Sequence, residues 1–168
     1  MNIFILRHGI AVEPGTPGYE DDSGRPLISK GERRLRAAAA AMKQLELSFD
    51  LMLSSPFTRA RQTAEIVAAA LKLKKRLRAC DDLIPGGSAR ALIQTLDGWK
   101  PAPENVLLVG HEPYLSRLIS LLVSGSADAV AIEMKKGGLC KLEAEFLLYG
   151  RCAQLVWLLT PRQMELMI

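Results

Sequence analysis

Three short runs of the chain, Asn2–Leu6, Asp50–Leu53 and Asn105–Val109, are β-prone and mostly apolar, with no polar residue at every second position. A strand with one wet face alternates, whereas a strand covered on both faces does not, so these runs predict the inner strands of a parallel sheet. Helical periods fill the intervals. Ser29-Lys30-Gly31-Glu32 has capping-box spacing, and Leu35, Ala38, Ala39, Met42 and Leu45 then predict a helix over Lys30–Leu45. Ser55 as N-cap and Pro56 at the first helical position start a second, with Ala60, Ala64, Val67, Ala68 and Leu71 as its stripe. Ser88 caps a short helix closed by Gly98, and a further helix carrying Leu115, Leu118, Ile119 and Leu122 follows Pro113. A weak strand is expected at Leu77–Cys80. Gly138–Phe146 and Cys152–Leu159, either side of Tyr149-Gly150-Arg151, read as a late hairpin. The expected fold is α/β: a three-layer sandwich with a mostly parallel central sheet, helices on both faces and an antiparallel edge strand.

No repeat or linker divides the 168 residues, so a single domain over 1–168 is expected. A chain of this length should bury roughly 70% of its unfolded surface. With 49% apolar and 24% charged residues, disorder is excluded. Cys80, Cys140 and Cys152 are odd in number and far apart, which fits neither a disulfide framework nor a zinc knuckle. Met1–Leu6 is too short and lacks the basic flank of a signal peptide, and no stretch is long enough to cross a bilayer. A cytoplasmic monomer is therefore expected, without membrane attachment. The +4 charge favours an anionic ligand or an acidic protein surface, but 5% aromatic residues leave few stacking platforms for nucleic acid. Lys72 to Arg78 carries five basic residues, a run usually solvated; as a rim to a binding site it would favour capture of an acidic donor.

Only two histidines occur, and each directly follows a predicted inner strand: His8 after Asn2–Leu6 and His111 after Asn105–Val109. Open α/β sheets bind ligands beyond the carboxyl ends of their strands, which puts both on one rim. Ser54-Ser55-Pro56 brings a helix N-terminus to the same rim, with Arg59 one turn further on. Arg7, His8, Arg59 and His111 make a donor-rich cluster with no matching group of carboxylates, suited to a phosphoryl group. Asp21, Asp22, Asp81 and Asp82 are not spaced with the histidines as metal ligands, so neither metal nor cofactor is expected.

Arg7-His8-Gly9 after an N-terminal strand, the segment Ser54-Ser55-Pro56-Phe57-Thr58-Arg59-Ala60-Arg61-Gln62-Thr63-Ala64, and Gly110-His111-Glu112-Pro113 together resemble the histidine phosphatase, or phosphoglycerate-mutase-like, superfamily. The compact length and Arg25-Pro26-Leu27-Ile28-Ser29-Lys30-Gly31 resemble its small bacterial protein phosphohistidine phosphatases. The resemblance implies that His8 accepts the phosphoryl group while Arg7, Arg59 and His111 hold its oxygens. A nucleophilic imidazole must be neutral, and two neighbouring guanidinium groups would depress its pKa. Ser55 and, from the long loop, Arg25 are further candidates for contact with substrate. Arg25 is equally well explained as an anchor on Asp21 or Asp22, and Glu112 as a cap on the helix at Pro113.

Larger members of the superfamily place an acidic residue as general acid, and here only Asp81 and Asp82 stand in the corresponding region, outside any clear motif and read first as a solvated turn, since most carboxylates in such segments are exposed. Without an acid, an alkoxide is a poor leaving group, whereas a phosphohistidine ring protonated on its other nitrogen leaves as neutral imidazole. The leading expectation is thus a metal-independent phosphatase that removes phosphate from phosphohistidine in signalling proteins. The alternatives are a phosphatase or mutase for small phosphate esters and a non-catalytic phospho-binding module.

Overall fold

β1 (Asn2–Arg7) sends Ile3 and Ile5 to one face of a sheet and Phe4 and Leu6 to the other, all four at most 3% exposed. The same two-sided burial recurs in β2 (Leu51–Ser54) and β4 (Asn105–Gly110), which is why these strands show no polar alternation. The computed structural model, covering residues 1–168, continues the sheet with β3 (Leu77–Ala79), β5 (Leu139–Ala144) and β6 (Ala153–Leu159), in the order β3-β2-β4-β1-β5-β6. The first four are mutually parallel; β5 runs against β1 and β6 against β5.

Helices cover both faces. Phe4, Leu6, Met52, Leu107 and Val109 pack against α1 (Ser29–Gln44), α2 (Thr58–Ala70) and Met164 of α5 (Pro161–Glu165). Ile3, Ile5, Leu53, Val106 and Leu108 pack against α3 (Ala89–Asp97) and α4 (Tyr114–Ser124). Ser88 Oγ accepts from Ala91 N at 3.1 Å, as its capping position predicts. None of the helices is long and apolar enough to cross a membrane.

Local signals failed at two places. The Ser29–Glu32 capping box does not form. Ile28 N donates to Ile10 O at 3.0 Å, so the returning loop makes Ile28 the N-cap and Ser29 is already helical. Gly31 permits that contact, since a Cβ there would lie 2.1 Å from Ile10 O. At α2 the expected Ser55 cap is displaced: the helix starts at Thr58 behind Phe57, and the Ser55 side chain is engaged elsewhere. The terminal helix α5 went unforeseen although Thr160-Pro161-Arg162-Gln163 carries its signal, a capping box with proline at the first turn.

The basic run is also displaced from the place a substrate rim requires. Met52 pairs with Leu77, and Arg76 donates to Asp50 O, so Lys72–Arg76 sits at the amino ends of β2 and β3, opposite the carboxyl rim.

Candidate active site

Three neighbouring strands, β2, β4 and β1, end together, and the next residue or two of each enters the site. Arg7 pairs with Gly110 and Ser54 with Val109, while His8 N donates to Gly110 O at 3.0 Å and Ser55 N to Val109 O at 2.9 Å. This register brings the His8 and His111 rings to 5.1 Å between centroids. Both imidazoles are buried, as are Arg59 and Ser55.

The tautomer of His8 is defined from two sides. Nδ1 lies 2.7 Å from the Gly9 carbonyl and must carry the proton, because a carbonyl can only accept. Arg59 Nε, which can only donate, lies 3.4 Å from Nε2 and leaves that nitrogen as the lone-pair end. Burial first, then the charges of His111, Arg59 and Arg7, lower the His8 pKa from 6.5 to about 3 against the opposing Gly9 bond. The ring is neutral at ordinary pH, and burial contributes more to this than the arginines do.

Arg59 stands in the first turn of α2, its carbonyl accepting Thr63 Oγ1 at 2.7 Å; Thr63 Oγ1 in turn accepts Gly9 N at 3.1 Å. The guanidinium also reaches the long loop, with Nη1 2.7 Å from Asp22 O and Nη2 3.0 Å from Asp22 Oδ2. Arg25 grips the other oxygen of that carboxylate, Nε at 2.8 Å and Nη2 at 2.6 Å, and its Nη1 donates to Val12 O. Arg25 thus anchors the loop through Asp22, and its charge also bears on His111 and Arg59. Although burial pushes the Asp22 carboxyl up, the bonds and charges of Arg25 and Arg59 outweigh it and hold the pKa below the usual value.

His111 Nε2 lies 2.8 Å from Ser55 Oγ, which also accepts Phe57 N at 3.2 Å. Burial, then the Arg59 charge, depresses the His111 pKa to about 3. Arg7 Nη1 donates to Met134 O at 2.7 Å. Two buried nitrogens of the cluster, Arg7 Nε and His111 Nδ1, have no partner in the protein. Unpaired buried polar nitrogens are costly, and a tetrahedral oxyanion in contact with them would satisfy Arg7 Nε and, where it carries the proton, His111 Nδ1.

Asp81 and Asp82 lie in a short 3-10 turn at the end of β3, beyond β2, and neither shares a hydrogen bond or ion pair with His8, Arg7, Arg59 or His111. The field of Asp82 falls instead on Tyr114 and Cys80. Glu112 Oε1 accepts Ser116 N at 3.0 Å, the helix-capping alternative. No three His, Cys, Asp or Glu side chains converge in a way that could hold a metal ion. Asp22 is the site neighbour that sequence reasoning missed. Its local pairing with Arg25 was one of the two anchors the sequence offered, but nothing local says that it also meets Arg59, 37 residues on.

Fold and site together define an α/β protein with a neutral imidazole, a second histidine and two arginines on the carboxyl rim of its sheet. The model of the histidine phosphatase superfamily (branch 1) matches residues 3–84. An uncharacterized protein of Picosynechococcus is 38% identical over 145 residues, 86% of each chain. The phosphohistidine phosphatase SixA of Escherichia coli is 33% identical over 128 residues, covering 74% of this chain and 76% of that one. The structure of a protein histidine phosphatase SixA complexed with tungstate superposes with a TM-score of 0.84 at 25% identity, over 98% of this chain and 99% of the other. The chain belongs to the histidine phosphatase superfamily, as a phosphatase that resembles SixA.

Proposed function

We propose that the protein is a phosphohistidine phosphatase: His8 takes a phosphoryl group from a phosphorylated histidine of another protein and passes it to water. The observation that carries this reading is the pairing of a neutral His8, whose unprotonated Nε2 faces Arg59, with a nearby carboxylate, Asp22, that is ionised and bound to Arg25 and Arg59. Asp22 has no proton to give an alkoxide. An imidazole leaving group needs none, provided that its other nitrogen is protonated.

In the first step the His8 Nε2 lone pair forms a bond to phosphorus as the donor P–N bond breaks, and the donor ring departs neutral, keeping the proton on its other nitrogen. Arg7, Arg59 and His111 are proposed to hold the three phosphoryl oxygens, supplying the positioning and charge stabilisation on which this chemistry depends. In the second step water attacks phosphorus, its proton goes to the phosphate, and the P–Nε2 bond breaks. His8 returns to its starting tautomer because Nδ1 keeps its hydrogen toward Gly9 throughout. The tungstate bound by the SixA relative has the tetrahedral oxyanion shape that this arrangement requires.

The test compares initial rates on a histidine-phosphorylated protein with a panel of sugar phosphates, phosphoglycerates and aryl phosphates. A higher kcat/KM for the phosphohistidine protein is expected, with Asp81→Asn and Asp82→Asn changing it by less than about twofold. A far higher kcat/KM on a small ester, abolished by either substitution, would establish the carboxylate as a working acid and overturn the proposal.

A further inference from the structure

The carboxyl rim of the sheet is electrically lopsided. Toward β5 and β6 it opens a cleft of about 570 Å³ lined by Arg7, Arg34, Lys135, Lys136 and Arg162, with Glu133 the one acid among the lining residues. Toward β3 it carries Asp81 and Asp82. The cationic side shares Arg7 with the His8 cluster: Arg7 lines the cleft and directly precedes His8, and its Nη1 grips Met134 O in the segment that presents Lys135 and Lys136.

We infer that this cleft is where a phosphorylated protein docks an acidic face, oriented with its carboxylates toward β5 and β6. The inference rests on the phosphohistidine reading and adds the location and polarity of the donor. The side chains of Lys135, Arg34 and Lys136 are 56%, 46% and 37% exposed, and each faces an acid that is itself exposed: Glu133, Glu165 at 3.7 Å and Glu13 at 3.5 Å. Exposed ion pairs of this kind contribute little and exchange readily for a partner's carboxylates. Arg162 has no ion-pair partner at all. The charges come from separate segments, at α1, before β5 and after β6, and no two of Arg34, Lys135, Lys136 and Arg162 share a partner. A single small anion is best held by converging donors, whereas a dispersed set matches carboxylates spread over a surface. The longer basic run Lys72–Arg76 cannot serve, because it lies at the other end of the sheet.

The experiment measures kcat/KM on three probes: a synthetic phosphohistidine peptide with glutamate flanks, the same peptide with glutamine flanks, and free phosphohistidine. The wild type should prefer the glutamate peptide by roughly tenfold at low salt, with the preference fading as salt screens the field. Lys135→Glu combined with Lys136→Glu should abolish that preference and leave free phosphohistidine unchanged, and Arg162→Glu, in the short terminal helix, should act in the same sense. Lys74→Glu with Lys75→Glu makes the same change of charge at the far end and should keep the preference. The docking surface is overturned if the wild type treats the two peptides alike, if both double variants lose the preference equally, or if the rim variants also lose free phosphohistidine. Failure of the wild type to hydrolyse any of the three defeats the phosphohistidine reading itself.

Discussion

Ser55 Oγ lies 2.8 Å from His111 Nε2, joining the end of β2 to the end of β4. The hydroxyl already accepts the Phe57 amide, so its own hydrogen is free to be donated. Given to Nε2, that hydrogen leaves the His111 proton on Nδ1, the ring nitrogen that no protein group satisfies. A donor at Nδ1 attracts an oxyanion and a lone pair there repels one, so we propose that Ser55, by donating to Nε2, selects the tautomer of His111 that can hold one.

Ser55→Ala removes that selection. Its kcat/KM should fall by about 10- to 100-fold, the range for groups that orient a working histidine. The imidazole ¹⁵N shifts of His111 should report a protonated Nδ1 in the wild type and a tautomer mixture in the variant. An unchanged tautomer together with unchanged kinetics would separate Ser55 from the chemistry.

His8→Ala should lose turnover by several orders of magnitude and form no phosphoenzyme. In the wild type, brief incubation with a phosphorylated substrate should label His8 through an acid-labile, alkali-stable bond. Mass spectrometry of the labelled peptide decides the matter, and label on any other residue would displace His8 as the acceptor.

Hydrolysis should survive exhaustive treatment with EDTA, because the guanidinium groups of Arg7 and Arg59 would supply the charge that a metal would otherwise provide. Vanadate and tungstate should compete with substrate by placing their oxygens against Arg7 Nε and His111 Nδ1. Activity lost to EDTA and restored by magnesium or zinc would contradict this.

Folding should weaken on acidification because His8 and His111 are buried neutral. Both have folded pKa values of about 3 against 6.5 for the free side chain. Between these values the unfolded chain binds more protons, so the stability they confer is complete above pH 6.5 and is lost as pH falls through this window. Each contributes a slope approaching about 1.4 kcal/mol per pH unit. Urea unfolding between about pH 6.5 and 5 should show this slope, and His8→Ala or His111→Ala should each remove its own share. An unaltered slope in both variants would mean that the rings are not held neutral.

Much of the fold was legible because it is set by residues close together in the chain. The two-sided apolar runs of β1, β2 and β4 reflect coverage by helices on both faces, and the stripes of α1 to α4 reflect a single buried side each. His8, Ser55 and His111 were legible as a group for the same reason, since parallel strands that end in chemistry-bearing residues must bring them to one rim. The sequence by itself therefore determined the sheet class and which chemistry-bearing side chains gather at one rim. Only the tertiary structure decided what surrounds them. Asp22 meets Arg59 across 37 residues and Arg7 meets Met134 O across 127, while Ser55 turns from capping its own helix to His111, 56 residues away. Such contacts depend on strand order and loop path, which no local pattern encodes. The same holds for the charge of the rim. The long basic run lies at the amino ends of the strands, while Arg34, Lys135, Lys136 and Arg162, scattered through the sequence, come together beside the site because β5 pairs with β1 and β6 with β5.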